Sequence, residues 1–209
     1  NLCGALESDR LAPTVLSAAH CLRPEQHDPA GPPVIRSDAP AYILYTSGSS
    51  GAPKGAIVRH DGMLNHLLAK VDDLNLSGTS AVAQSARLSF DISIWQFLAP
   101  LLVGGRTEIV GTDVASNPPQ LASFVATSGI TVLEVVPSVM RLVLEDLDRG
   151  RVASSQLAGL EWLVVTGEAF PRDLHVGWRR HFPDMGIMNA YGPTECSDDV
   201  AHFVGDGGI

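Results

Sequence analysis

Long apolar runs are missing from this 209-residue chain. The longest, IWQFLAPLLVGG at 94–105, falls short of the about 18 apolar residues that a membrane span requires. Cysteine is scarce: Cys3, Cys21 and Cys196 make an odd count without C-x-x-C spacing. A disulfide framework or a zinc site is therefore not expected, and three reduced thiols fit a cytoplasmic protein. Positive charge is also scarce, with 14 Lys and Arg against 23 Asp and Glu and a net charge of −9. That excess argues against a nucleic-acid partner held through its phosphates. A smaller polyanion would have to be held locally, by backbone N–H groups, a lysine and a divalent cation. The seven histidines are scattered. His60 and His66 are six apart and share no ligand face, and neither HExxH nor a Ser-His-Asp order occurs, so solvated or core roles are expected for all seven. No charged segment followed by an apolar one reads as a signal peptide.

What is present is a globular composition, 45% hydrophobic and 18% charged. Such a length can bury roughly 70% of its unfolded surface. Residues 1–40 are poorly patterned: LAPTVLSAAHCL could form a short element, and PEQHDPAGPPVIRSDAP reads as linker. From 41 to 209 the pattern is regular. The chain begins at Asn1 and stops at GDGGI, and both ends read as cut.

Strands are expected at AYILYT, AIVRH, AVAQSA, RTEIV, ITVLEVV, LEWLVVT and GIMNAY. Helices are expected between them. GMLNHLLAKVDDL should turn Leu64, Leu67, Leu68, Val71 and Leu74 inward, and DISIWQFLAPLL should be a buried helix. PQLASFVATSG should stop at Gly129, with Leu121, Phe124 and Val125 inward. PSVMRLVLEDLDRG opens on proline and closes on glycine, and PRDLHVGWRRHF aligns Leu174, Trp178 and Phe182. Strands and helices alternate, and the strands are continuous apolar runs. The expected fold class is α/β, a mostly parallel sheet with helices on both faces. Ligands of such sheets bind beyond the carboxyl ends of the strands. There the sequence sets TSGSSGAPKG, SFD, PS, GEA and YGPTE.

TSGSSGAPKG can turn several N–H groups and hydroxyls to one point, an anion nest, with Lys54 adding a mobile charge suited to phosphate. A Gly/Ser tract standing alone would be a flexible surface turn. The tract is not a Walker A loop: Ala52 and Pro53 separate Gly51 from Lys54, and Gly55 follows. Nor is it G-x-G-x-x-G.

YTSGSSGAPKG (45–55) resembles the phosphate loop of the adenylate-forming, AMP-binding enzymes. FDIS (90–93), GEA (167–169) and NAYGPTE (189–195) follow in that superfamily's order. FDIS and NAYGPTE look like the amino-acid adenylation domains of nonribosomal peptide synthetases. The resemblance covers about 40–209, an incomplete part of the large N-terminal region of such an enzyme. It implies ATP-dependent activation of an amino acid as aminoacyl-AMP, with release of pyrophosphate and transfer to the phosphopantetheine thiol of a carrier protein, next to condensation domains. Thr46, Ser47, Gly48, Ser49, Ser50, Gly51 and Lys54 would hold the β- and γ-phosphates, Thr194 would touch the α-phosphate, and Glu195 would hold Mg²⁺. Tyr191 would stack on adenine, with Gly167, Glu168, Asn189 and Ala190 around it.

Asp91 would pair with the substrate's α-ammonium. Read without the resemblance, it is a helix N-cap before ISIWQFL, and both roles are compatible. The side-chain pocket would comprise Asp91, Ile92, Trp95, Glu134, Val164, Thr166, Ala190, Asp198 and Asp199. Three acids beyond Asp91 suggest a cationic side chain, arginine-, lysine- or ornithine-like. Otherwise Asp198 and Asp199 face solvent or cap a turn. The family's ribose-binding aspartate, hinge and mobile C-terminal domain with its catalytic lysine find no counterpart here. The segment alone is thus expected to be inactive and to show apolar surface. A free-standing acyl-CoA or aryl-acid ligase, or a nucleotide-binding fragment without turnover, are the alternatives.

Overall fold

The computed structural model describes residues 34–47 and 51–205. Expectations for 1–33, Gly48, Ser49 and Ser50, Cys3 and Cys21 among them, lie outside the described residues. All the elements described belong to the unit Arg36–Ile209. They are, in order, β1 (Pro40–Thr46), β2 (Lys54–Arg59), α1 (His60–Asp73), β3 (Ala81–Gln84), α2 (Ile92–Leu102), β4 (Arg106–Ile109) and the short α3 (Thr112–Ala115). Then come α4 (Pro118–Ser128), β5 (Val132–Val135), α5 (Pro137–Asp148), β6 (Trp162–Val165), α6 (Arg172–His181), β7 (Gly186–Tyr191) and β8 (Ala201–Val204).

Six strands form one sheet in the order β4-β3-β5-β6-β7-β8. Its first five run parallel, and β8 closes the edge antiparallel to β7. The central strands β3, β5 and β6 are buried on both faces, as interior parallel strands require. Alternate residues feed two cores. Val82, Val132, Val164 and Met188 join Leu67 of α1 and Trp95 and Ala99 of α2 on one face. Leu133, Val135, Leu163, Val165 and Ile187 join α4, α5 and α6 on the other, where Leu174, Trp178 and Phe182 form the buried stripe of α6. Gly129 ends α4 in the left-handed conformation (φ 60°), a helix stop that glycine makes without strain.

Three features depart from the sequence reading. First, AYILYT is not a strand of the parallel sheet. β1 and β2 make a separate antiparallel hairpin, with Thr46 opposite Lys54, so the glycine-rich segment is a hairpin loop. Second, β8 is an additional strand beyond GIMNAY. Third, α1 is rotated about its axis. Leu67 and Leu74 are buried, but Leu64 and Leu68 stand 46% and 48% exposed, while His66 and Lys70 turn inward. Apolar periodicity placed the leucines inside; ion pairing from a distant segment, described below, decides otherwise.

Candidate active site

The hairpin packs against the turn at Thr194–Cys196 that follows β7. There the Thr46 hydroxyl donates to Glu195 Oε1 at 3.3 Å, across 149 residues of sequence. The β1–β2 hairpin and the segment after β7 thus meet, although they belong to different sheets. Lys54 and Ser47, at the two ends of the loop, are exposed at the same mouth. The donor set there, a carboxylate and hydroxyls, is hard oxygen chemistry and fits Mg²⁺.

Asp91 stands immediately before α2. Its Oδ1 accepts the Ile92 N–H at 3.0 Å, the N-cap contact, and its Oδ2 accepts the Thr194 hydroxyl. One carboxylate thus caps α2 and meets Thr194. Gly167, Glu168, Asn189, Ala190 and Tyr191 all border one cleft of about 500 Å³ beyond β6 and β7, with Thr166 and Phe170. Tyr191 is largely exposed, its ring free to receive a flat partner. Gly167 has φ +79°, which turns the chain at the end of β6. Glu168 accepts the backbone N–H and the hydroxyl of Ser138 at 3.1 and 2.8 Å, satisfying donors at the start of α5. A second cleft, about 410 Å³, is lined by Ile92, Gln96, Glu134 and Thr166 beside Ser85 and Val136.

Trp95, Val164 and Ala190 are buried beneath these residues. Glu134, on the α1/α2 face of β5, accepts Trp95 Nε1 at 2.9 Å and Gln96 Nε2 at 2.8 Å, both on Oε2. Its Oε1 is buried without a hydrogen-bond partner. Burial, against the attraction of Lys70, pushes this carboxyl up to about 7.

Asp198 and Asp199 neither face solvent nor cap an exposed turn. Asp198 is buried (3% exposed) with Oδ2 unpartnered, and desolvation plus the neighbouring Asp199, Glu134 and Asp91 carboxylates push it up to about 9. Burial pushes Asp199 up too, but contacts to His202, His66 and Lys70 outweigh it and hold the group well below the usual carboxylate range. Lys70 Nζ lies 2.6 Å from Asp199 Oδ2 and 4.7 Å above the Trp95 ring. The pair is a contact of charges, with Lys70 Nζ off the direction of an aligned hydrogen bond. His66 Nε2 and His202 Nε2 stand 3.6 and 3.5 Å from the same oxygen, and His202 Nδ1 reaches Asp73 at 2.5 Å.

Gly192 makes this packing possible. A Cβ there would fall 1.9 Å from the Asp198 carbonyl oxygen. Sequence reasoning missed Lys70, Gln96, His66, His202 and Tyr42. The Tyr42 phenol, on β1, is pushed up to about 12 by burial and by Asp198 and Asp91, and so stays a neutral donor beside them. Spacing signals none of these residues, because their partners lie far off in the chain. The one local hint is that His66 and Lys70, four apart, share a face of α1.

Residues 4–207 match the AMP-binding enzyme family. Among curated relatives, enterobactin synthase component F of Escherichia coli (strain K12) is 34% identical over 163 residues. These are 78% of this chain and 12% of that protein, so the chain spans a small part of the relative's length. Among solved structures, the nonribosomal peptide synthetase FmoA3 superposes with a TM-score of 0.74 at 26% identity, over 83% of this chain and 18% of that one. Its AMPPNP-bound form gives 0.70 at 28%, over 78% and 17%. The adenylation domain AlmE of Vibrio cholerae, in complex with glycyl-adenosine-5'-phosphate, gives 0.72 at 27%, over 82% and 31%. The chain belongs to the AMP-binding, adenylate-forming enzyme family, and its relatives within it are nonribosomal peptide synthetase adenylation domains.

Proposed function

We propose that this chain supplies the nucleotide- and amino-acid-binding part of a domain that activates an amino acid with ATP. One amino-acid carboxylate oxygen bonds to the α-phosphorus of ATP, the bond to the β-phosphate bridging oxygen breaks, and pyrophosphate leaves. The observation that carries the reading is the double junction of Thr46 with Glu195 and of Thr194 with Asp91. It supports the reading because the residues we assign to the terminal phosphates, the α-phosphate and the α-ammonium are within reach of one another, and proximity of this kind is most of what such a reaction needs. Thr46, Ser47, Gly51 and Lys54, with Gly48, Ser49 and Ser50, take the β- and γ-phosphates. Thr194 takes the α-phosphate, and the cleft beyond β6 and β7 takes adenine. Glu195 would hold Mg²⁺, which would supply neutralisation of phosphate charge. Asp91 holds the α-ammonium and so orients the carboxylate. AlmE, with its aminoacyl adenylate, supports this class of product.

Glu134 Oε1 and Asp198 Oδ2, buried and without partners, favour a cationic side chain on the substrate. Transfer to a phosphopantetheine thiol on a carrier protein beside condensation domains, in the cytoplasm where ATP is supplied, completes the reading. Amino-acid-dependent ATP–pyrophosphate exchange by the protein at its full natural length tests it. Asp91→Asn should keep ATP binding and lose about 2–5 kcal/mol of transition-state binding, at least about thirtyfold in kcat/KM for the amino acid. Equal exchange by D91N, or exchange driven by aryl or fatty acids, would favour a free-standing acyl or aryl ligase.

A further inference from the structure

Lys54 and Lys70 are the chain's two lysines. The first is exposed where β2 begins, at the end of the glycine-rich loop. The second is fully buried, and nothing in the nucleotide chemistry uses it. A long, flexible ammonium side chain is seldom enclosed without a paired charge. Here its partner is Asp199, a position the family resemblance assigns to the substrate's side-chain pocket. Of the positions the resemblance assigns to that pocket, Asp91 is half-buried, Asp198 and Glu134 are buried with one oxygen each outside any hydrogen bond, and Asp199 meets the fully buried Lys70, which stands over Trp95. His66, Asp199 and His202 also cluster as a possible metal site. The Lys70 ammonium already stands on that carboxylate, and a metal ion there would meet a like charge at close range.

We propose that Lys70 is a tethered occupant of the specificity pocket. Its ammonium fills the place on Asp199 where the terminal cation of a long basic substrate would bind. The pocket therefore accepts a short basic side chain, delivered to Asp198 and Glu134, and refuses a long one. This rests on the adenylation reading above and deepens it. Lys70 acts as a positioning residue: it fixes Asp199 and covers the Trp95 ring, and it leaves Asp198 and Glu134 as the acceptors.

The test is ATP–pyrophosphate exchange by the full-length protein with 2,3-diaminopropionate, 2,4-diaminobutyrate, ornithine, lysine, arginine and norvaline. Wild type should favour the shorter diamino acids over lysine and arginine by about tenfold or more in kcat/KM, the worth of one well-placed charge contact. Lys70→Met keeps the stem and removes the charge. It should raise the ratio of lysine to the short diamino acid by about tenfold, mainly through KM. Lys70→Arg should retain the wild-type preference. If Lys70→Met does not fold, Lys70→Met with Asp199→Asn removes the unpaired charge. That double variant should fold, keep the short preference and gain nothing for lysine. A wild-type preference for lysine or arginine, or an unchanged ratio in a folded Lys70→Met, would overturn the proposal. A preference for norvaline would overturn it while leaving adenylation intact. Exchange with none of the six would overturn the proposal, and exchange with no amino acid at all would overturn the adenylation reading itself.

Discussion

Asp198 and Asp199 are neighbours with opposite fates. Asp199 is surrounded by donors, Lys70 from α1 and the two histidines, and stays ionised. Asp198 meets mostly other acids: Asp199 beside it, Glu134 from β5 and Asp91 at the start of α2, with Tyr42 of β1 and His66 and Lys70 of α1 as its relief. In the free protein near pH 7 it therefore carries a proton, being pushed up to about 9, and Glu134, at about 7, is partly protonated. A cationic side chain arriving between them reverses the balance and favours both ionised forms. The sign follows from counting protons. The free state binds more than the complex, so binding releases protons and tightens as pH rises from 7 towards 9. Calorimetry of the cationic amino acid in buffers of different ionisation enthalpy should show release of about one proton at pH 7. Norvaline should release none. Proton uptake would contradict the assignment of the two carboxyls.

At the scale of elements, the turn between β7 and β8 sets the pocket. Gly192 lets it fold back so closely that Asp198 and Asp199 reach α1. Gly192→Ala must push the Asp198 backbone away. We expect a cost of about 1–3 kcal/mol, a fall in Tm of roughly 2–10 °C, with amino-acid binding weakened more than ATP binding. A thermal scan with both titrations checks it; an unchanged Tm would contradict the packing described. The parallel sheet and the helices α2, α4, α5 and α6 were legible in sequence, because apolar runs, N-terminal prolines and stop glycines carry local signals. Asp91 was legible as the cap of α2. The hairpin was not, since a short apolar strand reads alike in either sheet. Nor was the face of α1, whose two leucines at 64 and 68 suggested burial. Lys70 and His66 are drawn inward by Asp198, Asp199 and His202, 128 or more residues later, and no local periodicity reports that.

Across the molecule, two sheets cooperate. The six-stranded sheet offers its strand ends, with the clefts beyond β5, β6 and β7, and the separate β1–β2 hairpin meets the turn after β7 through Thr46 and Glu195. Apolar side chains at Ile43 and Ile57 on the hairpin and at Leu101 and Leu102 on α2 stand exposed, in keeping with a chain that spans a small part of its relatives. The central claim is that the loop at 46–55 and the segment at 189–195 grip one nucleotide. Hydrogen–deuterium exchange with and without AMPPNP and Mg²⁺ tests it most directly. The account predicts that both segments gain protection together, along one binding curve. Protection of one segment alone, or of the two at different nucleotide concentrations, would contradict it.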